Sequence, residues 1–138
     1  MPVPHLNIRI VQRSKGSSAV AGAAYQAGEK LFSEYDQKSK DHRRKQPEVV
    51  YTEILLPANA PPEYADRATL WNSAEEAEKQ WNAQLARRFV VALPREMPLE
   101  MCPQMMQEYC NEHFVSKGMC CDFAIHDPDP PGHNPHCH

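Results

Sequence analysis

Four of the seven histidines fall at or after position 126: His126, His133, His136 and His138. Side chains alternate between the two faces of a strand. His136 and His138, two apart, therefore share a face if that segment is extended, and Cys137 takes the other. His126 ends a preceding apolar run, and a hairpin through Asp127-Pro128-Asp129-Pro130-Pro131-Gly132 returns the pair beside it. Three imidazoles on one sheet face make a facial metal site with open coordination positions. The competing readings are a disordered His-bearing tail or the remnant of a C-terminal tag; a tag would be a plain His run, whereas Asn134, Pro135 and Cys137 interleave with the histidines here. His133 sits in the turn and is left out of the ligand set. Cys120 and Cys121 would face opposite ways in a strand and are read as core.

A second residue with chemical potential is Tyr25. On a helix it lies roughly 140° from Val20, off the apolar stripe, with Gly22 and Gly28 three residues to either side. Two glycines inside a helix cost about 1 kcal/mol each against alanine. That cost is consistent with clearance kept around one phenol, as a single-stranded nucleic acid backbone would need; packing glycines beside an ordinary tyrosine are the plain alternative.

Charge is uneven. Residues 1–50 carry nine Lys/Arg against five Asp/Glu, and residues 51–138 carry six against thirteen, within a net charge of −3. Screening removes remote charges over about 8 Å at physiological salt. A basic amino-terminal surface can therefore bind phosphates although the whole chain is acidic. Arg9, Arg13, Lys15, Arg43 and Arg44 are the candidate nucleic-acid contacts, the last two within a cluster that also holds Lys38, Lys40 and Lys45. A solvated loop is the bland reading of that cluster.

The elements that must position these residues follow from periodicity. With 41% hydrophobic and 24% charged residues the chain reads as one globular domain. Leu6, Ile8 and Ile10 alternate as a half-buried strand. Ser17-Ser18 offers an N-cap, and Val20, Ala23, Ala24, Ala27 and Leu31 mark a helix from Ala19 to about Leu31. Residues 33–47 read as a polar loop, and Val49 to Leu56 as a strand closed by Pro57. A short helical segment is expected near Pro62–Asp66, and a longer helix from about Ala68 to Leu85. Arg88 to Leu93 is a strand. Leu99 to about Phe114 is a helix whose expected core face is Met101, Cys102, Met105, Tyr109 and Phe114, and Met119 to His126 is a strand. Helices interrupting strands, with at least one hairpin, predict an α+β domain with a mostly antiparallel sheet. No stretch is long and apolar enough to span a bilayer, and the amino end lacks a secretory pattern. Five cysteines without a CxxC pair suggest a reduced, cytoplasmic protein.

Several runs resemble one family when read together. Ser14-Lys15-Gly16-Ser17-Ser18-Ala19-Val20-Ala21-Gly22-Ala23-Ala24-Tyr25-Gln26-Ala27-Gly28-Glu29-Lys30-Leu31 is similar to the first motif of the MobA/MobL plasmid mobilisation relaxases. Glu53-Ile54-Leu55-Leu56-Pro57, Asn59-Ala60-Pro61, Leu70-Trp71-Asn72, Ala92-Leu93-Pro94-Arg95-Glu96 and Asn134-Pro135-His136-Cys137-His138 follow in family order.

The resemblance implies an HUH endonuclease: an antiparallel sheet carrying metal-binding histidines, flanked by helices, that nicks one DNA strand at an origin of transfer. Such enzymes stay attached to the 5′ end through a tyrosine and lead that strand in conjugation. On this pattern Tyr25 is the nucleophile, His136 and His138 are the HUH pair, and His126 is the third ligand. The implied cofactor is a divalent metal, Mg²⁺ or Mn²⁺, with Zn²⁺ or Ni²⁺ also acceptable to three histidines. The implied partners are single-stranded origin DNA, accessory mobilisation proteins and a coupling protein. Three departures stand out. The turn from His126 to His136 is longer than usual, which would displace His126. Arg88 stands where an acidic residue is often found, leaving Glu76, Glu78 and Glu96 as substitutes. The family continues beyond the position of His138, so a truncated domain is expected. A catalytically inactive single-stranded DNA-binding remnant is the first alternative. A rolling-circle replication initiator is the second, although those usually place the tyrosine after the HUH motif.

Overall fold

The computed structural model of the chain describes residues 6–94, 96–127 and 135–138. A five-stranded sheet is its frame. The strands are β1 (Leu6–Gln12), β4 (Val49–Leu55), β5 (Gln84–Ala92), β6 (Cys121–His126) and β7 (His136–Cys137), in the spatial order β1-β5-β7-β6-β4. All the pairings are antiparallel. A separate hairpin joins β2 (Lys30–Ser33) to β3 (Lys38–Asp41). Three helices pack on the frame: α1 (Ala19–Ala27), α2 (Arg67–Ala77) and α3 (Cys102–His113). The α+β architecture with a mostly antiparallel sheet and flanking helices is the one expected.

Alternation divides the sheet into two faces. Val91, Phe123, Ile125 and Cys137 point to one side, where they meet Leu93 and the Cys102, Met106 and Cys110 stripe of α3 in the main core. That stripe is shifted from the expected one: Met101 and Tyr109 are exposed, because residues four apart on α3 face the sheet through Cys102, Met106 and Cys110 instead. The other side carries His126 and Asp122 and is covered by α1 and α2. Val20, Ala23 and Ala24 of α1 pack there with Leu31, Ala68 and Trp71.

Three boundaries differ from the periodicity reading. α1 ends at Ala27, because Gly28 takes a left-handed conformation (φ 67°) and its N–H caps the carbonyls of Ala24 and Tyr25. Leu31 keeps its apolar role from β2. The expected loop over residues 33–47 is instead the β2–β3 hairpin and a 3-10 turn, Arg43–Glu48. α2 stops at Ala77, and β5 starts at Gln84. The Arg13 guanidinium explains where α2 stops: it donates to the main-chain oxygens of Glu75 and Glu78 at that helix end.

One ionic cluster ties the layers together. Arg67 of α2 donates from Nε and Nη2 to both oxygens of Asp122 on β6, at 2.8 and 2.9 Å, and from Nη1 to Glu29 just past α1, at 2.6 Å. The Trp71 indole N–H donates to the same Asp122 carboxylate at 2.8 Å. The Asp122 side chain is 3% exposed and that of Arg67 9%. Breaking such a pair from one side leaves an uncompensated buried charge, which costs about 3–5 kcal/mol. Arg67→Ala is therefore expected to lower the unfolding free energy by about that amount. Urea denaturation monitored by Trp fluorescence checks it, and a loss below about 1 kcal/mol would remove the cluster from its organising role.

Candidate metal and tyrosine centre

The centre is built by strand register. His126 is the Cα partner of His136, and Ile125 of Cys137. His138 continues the ladder, exchanging main-chain hydrogen bonds with Ala124 at 2.9 Å in both directions. Directly opposed residues share a face. The three histidines therefore share one side while Cys137 enters the core on the other, 1% exposed. One nitrogen from each of His126, His136 and His138 lies within 4.8 Å of the other two. Ring centroids are 4.5 Å apart for His126 and His138, 4.8 Å for His136 and His138, and 5.5 Å for His126 and His136. The long turn does not displace His126: it stays in register with His136. Residues 128–134 of that turn, His133 with them, lie outside the described residues.

The donor set suits a divalent cation. The His126 Nε2–H donates to the main-chain oxygen of Gln26 on α1, at 2.6 Å, which leaves Nδ1 as the lone-pair nitrogen. Fixing one ring nitrogen in this way is how an imidazole is oriented for a metal. Both ring nitrogens of His138 are buried with no hydrogen-bond partner. Leaving such a group unsatisfied costs about 1–3 kcal/mol, and coordination through one of them would remove part of that cost. Burial first, then the charges of His126, His136, Arg88 and Lys45, push the His138 pKa down to about 3. Burial likewise lowers that of His126. Near neutral pH both rings are therefore uncharged, the state in which imidazole ligates.

Tyr25 projects from α1 into the same place. Its ring centroid is 6.1 Å from that of His138 and 6.5 Å from that of His126. Two further residues, which sequence reasoning did not place here, surround it. His42 meets the phenol edge-on at 5.6 Å, and the Lys45 Nζ lies 5.4 Å from the ring centroid. The charge of Tyr25 first, then that of Glu48, raises the Lys45 pKa. Both residues sit at the 3-10 turn after β3. The only sequence signal for them was the basic cluster that contains Lys45. Gln26 was also missed, because its main-chain oxygen rather than its side chain holds His126.

The glycines flanking Tyr25 have more specific work than clearance. A Cβ on Gly28 would fall 2.7 Å from the Gln46 Cα and 2.8 Å from its nitrogen. The glycine thus lets α1 touch the turn that carries Lys45. Gly22 faces the side chain of Arg88.

The predicted basic contacts separate. Arg9, Lys15, Arg43 and Arg44 are exposed, with Arg43 in a two-pronged pair with Asp41 at 2.9 and 2.8 Å. Arg13 must be corrected. It is 6% exposed, its guanidinium is taken by the carbonyls ending α2, and it stacks 4.3 Å over Tyr35. It is a tie between elements and is not available to DNA. Glu76, Glu78 and Glu96 are exposed. The carboxylate whose charge reaches His126 is that of Glu48.

The family model of MobA/MobL matches residues 17–138. The chain belongs to the MobA/MobL family. This MobA/MobL chain is 38% identical over its whole length to a probable mobilization protein MobA of Bifidobacterium longum, of which it covers 24%. It is also 38% identical to a conjugal transfer protein TraA of Agrobacterium fabrum, covering 13% of that protein. It thus spans about a quarter or less of these two relatives. A solved structure, described as the molecular basis of vancomycin resistance transfer in Staphylococcus aureus, superposes with a TM-score of 0.89 at 31% identity. The match covers 99% of this MobA/MobL chain and 68% of the other. Among the described residues no helix is long and apolar enough to cross a membrane.

Two predictions follow from the geometry. His126 and His138 have folded pKa values below their unfolded values near 6.5. The unfolded chain therefore binds more protons, and stability is complete above about pH 6.5 and falls as acid is added toward pH 3. Thermal melts at pH 7 and pH 5 in metal-free buffer should show the lower midpoint at pH 5, and an unchanged or higher midpoint would contradict neutral buried rings. Gly28→Ala adds roughly 1–2 kcal/mol of left-handed strain to the contact with Gln46. It should destabilise the fold by at least that much in chemical denaturation.

Proposed function

We propose that this chain is the nicking domain of a mobilisation relaxase. In this reading it cleaves one strand at a plasmid origin of transfer through a covalent 5′-phosphotyrosine. The observation that carries the reading is the meeting of the Tyr25 ring with the trio of histidines whose nitrogens lie within 4.8 Å of one another. The family and the names of the relatives support the mobilisation setting, and they favour it over a replication initiator.

His126, His136 and His138 would hold a divalent cation, Mg²⁺ or Mn²⁺ in the cell. When bound it would neutralise charge on the scissile phosphate and polarise phosphorus, an effect worth several kcal/mol. The rest falls to the chain's own groups. Gln26 keeps the His126 ring turned with Nδ1 free. Lys45 places a cation 5.4 Å from the centroid of the Tyr25 ring, on the residue that attacks. The Tyr25 oxygen attacks phosphorus in line with the departing sugar oxygen. A tyrosyl O–P bond forms as the P–O3′ bond breaks, and the 3′ oxygen leaves as a hydroxyl after taking up a proton. The phosphotyrosyl ester conserves the energy of the broken diester, so a second 3′ hydroxyl can reverse the step without ATP. Single-stranded origin DNA, accessory mobilisation proteins and a coupling protein are the partners this reading requires, in the cytoplasm of a donor cell.

Tyr25→Phe should abolish nicking of supercoiled origin DNA while leaving oligonucleotide binding within about twofold. EDTA should stop wild-type nicking and Mn²⁺ restore it. Equal nicking by the Phe variant would overturn the nucleophile. DNA binding without nicking or stoichiometric Mn²⁺ uptake would favour the inactive DNA-binding remnant instead.

A further inference from the structure

Arg88 is a cation on the covered face of the sheet that this mechanism does not use. It sits on β5, facing the side of the sheet covered by α1, with its stem and guanidinium against Gly22: a Cβ there would meet its Cδ at 3.8 Å and its Nη1 at 4.0 Å. Its Nε donates to the side-chain oxygen of Gln26 at 3.2 Å. Among the described residues it makes no ion pair. Asp122, which lines the same cavity as Arg88, is already satisfied by Arg67 and Trp71. Its Cα partner across the β1–β5 ladder is Arg9, so two cations stand directly opposite each other on one face. Like charges in that relation are destabilising unless something between them is negative. Arg88 also borders a cavity of about 510 Å³ that Gly22, Gln26 and His138 help to line. A half-buried guanidinium without an ion pair among the described residues, facing another arginine and within reach of the Tyr25 charge, is arranged for an anion that enters from outside.

We propose that Arg88, assisted by Arg9, is a phosphate-binding residue that seats a backbone phosphodiester of single-stranded DNA beside Tyr25, independently of any metal ion. The planar fork of a guanidinium matches two phosphate oxygens, which a lysine ammonium cannot do. The Gln26 contact fixes the plane of that fork, and the same residue's main chain fixes His126. One residue of α1 thereby aligns the phosphate seat with the imidazole trio. This inference rests on the nicking reading only for the identity of the ligand.

The test measures fluorescence anisotropy of a labelled single-stranded oligonucleotide of about a dozen nucleotides in EDTA, over a series of salt concentrations. Each phosphate contact to a single strand contributes about 0.7 to the slope of log affinity against log salt. Arg88→Gln is expected to weaken binding about tenfold at 0.1 M salt and to reduce the slope by about 0.7. Arg88→Lys should keep the slope and lose part of the affinity. Arg87→Gln removes the same charge one residue away; that side chain points to the opposite face and donates to the Met119 sulfur at 3.2 Å. It should change affinity less than about twofold. Equal losses for Arg87→Gln and Arg88→Gln, or an unchanged slope for Arg88→Gln, would overturn the proposal. Circular dichroism melts confirm that each variant is folded, and Arg88→Lys carries the test if Arg88→Gln is not. Because metal is excluded, failure of the nicking reading would leave this result standing. Conversely, a null result here would leave the roles of Tyr25 and the histidines intact.

Discussion

Everything at the candidate centre depends on the pairing of β7 between β5 and β6. The strand has only two residues, yet its register decides which side of the sheet each of the last three side chains occupies. A slip of one residue would send His136 and His138 into the apolar layer beneath α3 and bring Cys137 up beside Tyr25. The thiol of Cys137 therefore does more than fill space. Burial pushes its pKa up to about 12, so it stays uncharged in the core. An apolar partner for the α3 layer at that position makes the slipped register costly. The sequence alternation His-Cys-His is in this sense a register lock as well as a ligand pattern.

The second constraint is the seating of α1. Three contacts made by neighbouring residues orient it: the cap at Ser18, the Gln26 carbonyl on His126, and the close approach of Gly28 to Gln46. At the amino end of the helix, the Glu75 carboxylate also accepts from the Ala19 N–H at 2.8 Å, which ties α1 to α2. These contacts hold the phenol among the imidazoles from one side and bring Lys45 and His42 onto it from the other. The cost of the arrangement is concentrated in the polar groups it buries. Among the described residues, the ones left without a hydrogen-bond partner include the Nε of Arg13 and one oxygen of Glu75, both at the junction of α1, α2 and β1.

Much of this was legible in the sequence, for identifiable reasons. Period-two spacing of His136 and His138, with His126 at a strand end, depends only on strand geometry, which local context rarely overrides. The strands around Ile8, Ile54 and Val90 carried enough β-branched and aliphatic alternation to be read. What escaped was set by tertiary contacts. The end of α1 turned on a glycine that reads equally as packing or as a cap. The β2–β3 hairpin is short and polar enough to resemble a loop. The end of α2 is fixed by Arg13, sixty-five positions from Glu78, and no local pattern announces such a tie. The same blindness placed Arg13 among the DNA contacts, because charge in a sequence carries no information on whether a carbonyl is waiting for it. Lys45 and His42 were hidden in the opposite way, inside a charged run whose default interpretation is solvent.

The narrowness of β7 has a mechanical corollary. Within the sheet, the β1–β5 ribbon and the β4–β6 ribbon are sewn together by a seam only a few backbone bonds wide. An ion held jointly by His126 on one ribbon and by His136 and His138 on the seam would act as a rivet across that weak line. Loading the centre would then also stiffen the frame, turning a sheet liable to part along its middle into one that gives way only as a whole.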